Sequence, residues 1–293
     1  MTAIIGIFLI NSGYGLAISK KSISVSKFYK QRFLKIWVYS FLCGLFCTGL
    51  MLLNGKGLHI SYLYSLIPIF GFHEMPRDWS VVQYWYLSLA FTYYIIFPFI
   101  VSRLDKLRFI LISIFCVCFG YLIYFNIYSY VSIYHSAICR FPEFLFGILL
   151  ARDERLKSIF FETKNSKILL GILLLLISYS TFYIGVLNPL SNLFFSISCY
   201  FLGIQLAAKF AKFDSLNRYL GVLKCGTFSL YLTHNVLVNV IMAIPRKFTS
   251  MESLANAIEQ SYYVRVLFAV CLSTVFLFLF GYIEKMYLKN LKI

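Results

Sequence analysis

Along this chain apolar residues do not alternate with polar ones; they run together in long blocks separated by short polar connections. A helix needs roughly 17 to 25 apolar residues to cross a hydrocarbon layer about 30 Å thick. Nine blocks approach or reach that length, near 2–18, 36–53, 84–101, 109–128, 137–151, 168–187, 193–208, 226–244 and 266–283. The pattern predicts an all-α fold, a polytopic integral membrane helix bundle of about nine transmembrane helices, because helices satisfy their own backbone hydrogen bonds in lipid. A further apolar run, His59 to Phe72, is interrupted by Pro68 and Gly71 and is too short to span. It is expected to lie on the outer face or dip into it. No internal repeat aligns and no polar connection is long enough for a soluble domain, so residues 1–293 read as a single transmembrane domain.

Charge orients the helices. The connections 19–35, 103–108, 152–167, 209–224 and 284–293 hold 6, 3, 5, 4 and 3 of the 27 Lys and Arg residues, and the opposite connections share the remaining six. By the positive-inside rule the basic connections face the cytoplasm. This gives a multi-pass protein of the plasma membrane with a cytoplasmic C-terminus and Met1 outside. The net charge of +16 then needs no nucleic acid as partner, although a basic inner surface also attracts anionic membrane lipids or a phosphorylated ligand. With 60% hydrophobic and 13% charged residues, a soluble domain is excluded. The first block has no basic segment before it, and Lys20 and Lys21 follow it at once, which does not fit a signal peptide. Two explanations remain: a natural N-out chain, or one whose first helix and cytoplasmic lead are missing.

Several polar residues stand out against this background. His73, Glu74, Arg77 and Asp78 lead into a helix that opens with Trp85 and Tyr86, whose rings suit either a sugar face or an aromatic belt at the headgroup level. Lys27, Lys30, Arg32 and Lys35 precede a span, with Arg32 and Lys35 on one helix face. They fit phosphate binding or topology charge with snorkelling side chains. Arg140 and Glu143 flank Pro142 one turn apart, which fits helix capping or a buried ion pair beside a cavity. The span at 137–151 is short, and is expected to be tilted or broken around a site. His234 and Asn235 fall near the middle of the block at 226–244, where polar groups need a partner. His234 is therefore a site candidate or a histidine satisfied by a neighbouring helix. The eight cysteines read as small apolar residues; Cys43 and Cys47 share a face, but no second ligand pair exists and no metal site is expected.

In order, these segments resemble acyltransferase family 3, the ten-helix membrane enzymes that O-acylate cell-surface polysaccharides, lipopolysaccharide and related glycans. IFLINSGYGLAISKKSISVSKFYKQRFLKIW is similar to the family's second helix and its basic lead into the third. Ser12, Gly13, Tyr14 and Gly15 carry the first element, and Arg32 with Lys35 the second. WYLSLAFTYYIIFPFI from Trp85, RFPEFLFGILLAR from Arg140 and SLYLTHNVLV from Ser229 resemble later signatures in the expected order. The chain departs from the family in two ways: the family's first helix, with an Arg and a His about ten residues later, has no counterpart after Met1, and Lys35 stands where Arg is usual. A lysine keeps the charge but loses the planar fork.

The resemblance implies an O-acyltransferase that moves an acyl group, expected to be acetyl, from acyl-CoA to a hydroxyl of a cell-surface glycan or glycolipid. It holds no bound cofactor; acetyl-CoA or another acyl-CoA is the donor substrate. His234 and Glu143 are then the catalytic candidates, Arg32, Lys35 and Lys30 hold the donor, and Trp85, Tyr86 and Arg140 hold the acceptor. Loss of the family's first helix would impair the activity. The competing reading is a transporter or flippase of lipid-linked sugars, against which count the lack of an inverted repeat and the few intramembrane charges.

Overall fold

The computed structural model describes residues 2–19, 24–30, 32–33, 85–126, 137–162, 165–183 and 188–210, with isolated residues between 45 and 52 and between 274 and 286. Among the described residues all regular structure is helical. The helices are α1 (Thr2–Ser19), α2 (Trp85–Ile100), α3 (Lys106–Asn126), α4 (Ala137–Arg152), α5 (Glu154–Phe161), α6 (Asn165–Tyr183) and α7 (Asn188–Phe210). All but α5 coincide with apolar blocks of the sequence. The blocks at 36–53, 226–244 and 266–283, and the run from His59 to Phe72, lie wholly or mostly outside the described residues.

The chain divides into two compact units, one of residues 1–33, 71–74 and 85–212, the other of 34–70, 75–84 and 213–293. In the second, Val275, Phe278, Leu279, Tyr282 and Met286 are helical and expose apolar side chains. The first unit is built round α4, which packs against α1, α2, α3, α5 and α7, while α6 packs on α7. Leu9, Ile10, Phe144, Leu145, Ile148, Leu150 and Phe201 are fully buried at its centre.

Polarity in this unit is inverted relative to a water-soluble domain. Ile114 and Phe115 on α3, and Leu169, Leu173 and Leu176 on α6, are each more than half exposed, whereas Arg140, Glu143, Ser196, Ser198 and Gln205 are buried. Contiguous apolar surface on this scale faces lipid, not water, so the unit fits a membrane helix bundle. Leu190–Ala208 is long and apolar enough to cross a membrane; Ile5–Ser19, Leu89–Ile100 and Lys167–Tyr183 are shorter apolar helices. Hydrogen bonds clip the outer pair together, from Ser178 Oγ to Ser191 O at 2.8 Å and from Ser198 Oγ to Gly171 O at 2.7 Å. In lipid such bonds and close approach replace the hydrophobic drive to helix association.

One end of this unit gathers the basic connections. Arg152, the last residue of α4, donates to Val101 O and, at 2.9 Å, to Leu104 O just past α2. Lys106 Nζ lies 2.7 Å from an Asp153 carboxylate oxygen. Gln205 Nε2 donates to Phe160 O at 3.0 Å, Lys167 pairs with Glu162 at 3.0 Å, and the ring of Tyr14 meets that of Phe161 at 5.5 Å. Thus α1, α2, α4 and α7 run toward this basic end, and α3 and α6 run away from it. Basic connections placed at one end are what alternate loops of a chain threading a bilayer require.

The helix α5 sits in this end and has its own start signal. Asp153 is its N-cap, accepting from Arg155 N at 3.0 Å and Leu156 N at 3.1 Å. The hydrogen bond from Lys106, with these backbone donors, holds the Asp153 carboxyl below its ordinary value. A lowered folded-state pKa means stability that is present above the ordinary aspartate range, near 3.9, and is lost as pH falls through the lower folded-state value. The junction of α3 with α5 is therefore expected to hold from neutral pH down to that range and loosen below it, and Asp153→Asn should remove this acid dependence. Hydrogen-exchange protection of the α5 amides, corrected for intrinsic rates, measures it; the same acid loosening in both proteins would contradict the assignment.

Candidate functional site

Spacing of three on a helix puts two side chains on one face, and the face that carries Arg140 and Glu143 turns into the bundle. Each is 1% exposed, and Arg140 Nη1 donates to Glu143 Oε1. Across from them, Ser196 Oγ on α7 donates to the same Oε1 at 2.8 Å. The other carboxylate oxygen, Oε2, is buried and accepts no hydrogen bond from any of the described residues. Burying two charges costs several kcal/mol per ion unless geometry and further hydrogen bonds offset it. Here Ser196 supplies one such bond, and one acceptor position stays open.

Two neighbours shape the cluster. Gly6 of α1 faces it so closely that a methyl group there would lie 1.8 Å from Ser196 Oγ and 2.7 Å from Glu143 Oε1. Tyr93 of α2 is buried, packs its ring on Phe141 and Phe144 at 5.1 Å, and lies within electrostatic range of both Arg140 and Glu143. Four helices thus converge on one carboxylate. At about 1.5 Å per residue, Glu143 sits roughly 9 Å along α4, near the middle of the bundle.

Of the two readings of Arg140 and Glu143, the structure realises the buried ion pair. Helix α4 begins at Ala137, so Pro142 lies inside it and no acidic residue occupies its first turn. Having no N–H, Pro142 leaves the carbonyl of Ile138 without its usual bond, a local opening in the ladder beside the site.

Arg32 falls in a helical stretch that packs along α2, with Phe28 on Phe97 at 5.5 Å, Phe33 on Phe91 at 5.2 Å and Tyr29 Oη donating to Ile95 O at 2.8 Å. Arg32 is half-buried and Lys30 exposed. Tyr94 lies near Ser12 of α1 and feels the charge of Arg32. Adjacent tyrosines of α2 therefore serve two groups: Tyr93 the ion pair, Tyr94 the Ser12 and Arg32 side. Trp85 and Tyr86 are the first two residues of α2. Their side chains, and the whole of Lys35 and His234, lie outside the described residues.

Sequence reasoning passed over Ser196, Gly6 and Tyr93. The signal for Ser196 was its place in SNLFFSISCY, where Ser191, Asn192, Ser196 and Ser198 put polar groups into an apolar block. Gly6 and Tyr93 carried none, since a glycine or a tyrosine in an apolar helix is unexceptional.

The family model described as an acyltransferase domain matches residues 2–283. The chain belongs to acyltransferase family 3. It is a membrane acyltransferase, and the match runs across both compact units, so Lys35 and His234 fall within the acyltransferase domain. No curated protein and no solved structure matches the chain.

Proposed function

We propose that this acyltransferase moves an acetyl group from acetyl-CoA, held at the basic end, to a hydroxyl of a cell-surface glycan that reaches Glu143 from the opposite end. The observation that supports this reading is the open oxygen of the buried Glu143, whose partner oxygen is fixed by Arg140 and Ser196. A carboxylate held on one side and open on the other is suited to general-base work. The acceptor oxygen forms its bond to the acyl carbon, its proton passes to Glu143 Oε2, the carbon–sulfur bond breaks, and the thiolate leaves with the proton. His234 is the second candidate for this proton transfer. Arg32 with Lys35 and Lys30 neutralises the donor's phosphates, and Trp85, Tyr86 and Arg140 stand at the acceptor side. On this reading the basic connections of a multi-pass plasma-membrane protein face the cytoplasm, the side of the donor, and the acceptor comes from the other side.

Membranes carrying the full chain should transfer label from radiolabelled acetyl-CoA to envelope glycan. Glu143→Gln, which keeps the side chain's shape, should cut transfer by about 10²–10⁴-fold. A lack of transfer by the unaltered protein would favour a flippase of lipid-linked sugars, which has no use for acetyl-CoA.

A further inference from the structure

A groove of about 810 Å³ runs between the C-terminal half of α6 and the N-terminal half of α7, at the end away from the basic connections. Its size is within the ~300–1,000 Å³ common for small-ligand sites. Leu176, Phe182 and Phe195 line it, with Ser178, Ser191 and Asn192. Leu176 is 57% exposed and Phe182 49%, so the groove opens on the lipid-facing surface of the bundle.

Among the described residues, one polar group of its lining has no hydrogen-bond partner. Ser178 spends its hydroxyl on Ser191 O. Asn192 is nine-tenths buried and lines the groove, and no described residue hydrogen-bonds its amide. An apolar trough with one such amide matches an amphiphile, its chain along the walls and its polar junction at Asn192. Asn192 and Ser196 are four apart on α7, so they share a face. The polar end of that amphiphile would lie one turn, about 6 Å along the axis, from the serine that holds Glu143.

We infer that this groove seats the hydrocarbon tail of a lipid-anchored acceptor, which delivers its glycan hydroxyl to Glu143 from within the bilayer. The inference rests on the acyl-transfer reading and names the class of acceptor. A soluble oligosaccharide has no tail for the groove.

The test uses the full chain in phosphatidylcholine vesicles, with a monoglycosyl diacylglycerol as acceptor and a soluble oligosaccharide of the same sugar as control. Leu176→Trp fills the trough from an exposed position, and Asn192→Leu removes the amide. Both should raise KM for the glycolipid by at least about tenfold, the scale on which a pocket discriminates by size, with kcat and the KM for the soluble sugar unchanged. Leu169→Trp, on the lipid-facing surface outside the groove, should change nothing. Independently, a diazirine-bearing form of the glycolipid should cross-link to α6 and α7, and Leu176→Trp should abolish the cross-link. Equal labelling by diazirine-bearing phosphatidylcholine, uncompeted by glycolipid, would mean bulk lipid only and overturn the inference. Failure of transfer to both acceptors would instead overturn the acyl-transfer reading, while the cross-link still decides the groove.

Discussion

Arg140→Met is expected to destabilise the bundle by about 3–5 kcal/mol and abolish transfer, because it leaves the Glu143 carboxylate buried with a single serine donor. The size follows from asymmetry: removing one member of a buried pair strands the other, whereas removing both takes away cost and gain together. Arg140→Met with Glu143→Leu should therefore recover most of the lost stability, with Ser196 turning back to a carbonyl one turn earlier on α7. Transfer should not recover, since no open carboxylate oxygen remains. Thermal unfolding in detergent, read beside the acetyl-transfer rate, separates the two effects. A double variant with normal transfer would remove Glu143 from the chemistry. A single variant as stable as the unaltered protein would mean that the pair is hydrated and not buried.

What could be read in the sequence was whatever is local or periodic. Apolar runs long enough to span fold as helices under almost any packing, so the ends of α1, α2 and α4 fall within a residue or so of the apolar blocks that announced them. Charge placement likewise anticipated that residues 103–108 and 152–167 meet at one end, which the contacts of Arg152 and Lys106 realise. Helix α5 escaped notice because eight residues of mixed charge form no apolar run; its start was written in Asp153, a capping residue. The pairing of Arg140 with Glu143 was legible as spacing, but capping and ion pairing predict the same spacing, and only the start of α4 at Ala137 distinguishes them. Ser196 meets Glu143 across 53 residues of chain. No local pattern specifies such a contact, which depends on how α7 lies against α4.

The contact of α1 with α4 is where a single added methyl group is expected to do the most damage. A methyl on Gly147 would lie 2.1 Å from Ile10 O and 2.9 Å from Tyr14 N, and one on Gly13 would lie 2.2 Å from Phe144 O. These obstacles are backbone and cannot swing aside, so the helices must separate until contact reaches the ordinary 3.4 Å or more. Small residues that let backbones touch are how helices bind each other in lipid, which gives the Gly13 of the Ser-Gly-Tyr element a mechanical reason. Overpacking of this kind costs about 1–3 kcal/mol, occasionally more. Because Gly6 on the same helix seats Glu143 and Ser196, moving α1 also loosens the buried cluster around Glu143. Gly147→Ala should therefore lower both the unfolding midpoint and the transfer rate. Gly15→Ala is the matched control: nothing lies within 4 Å of a methyl there, and replacing glycine by alanine in a helix gains roughly 0.5–1 kcal/mol. Equal behaviour of the two alanine variants would show that α1 does not pack on α4 through its glycines, and opposite signs would show that these two helices are held in register by backbone contact.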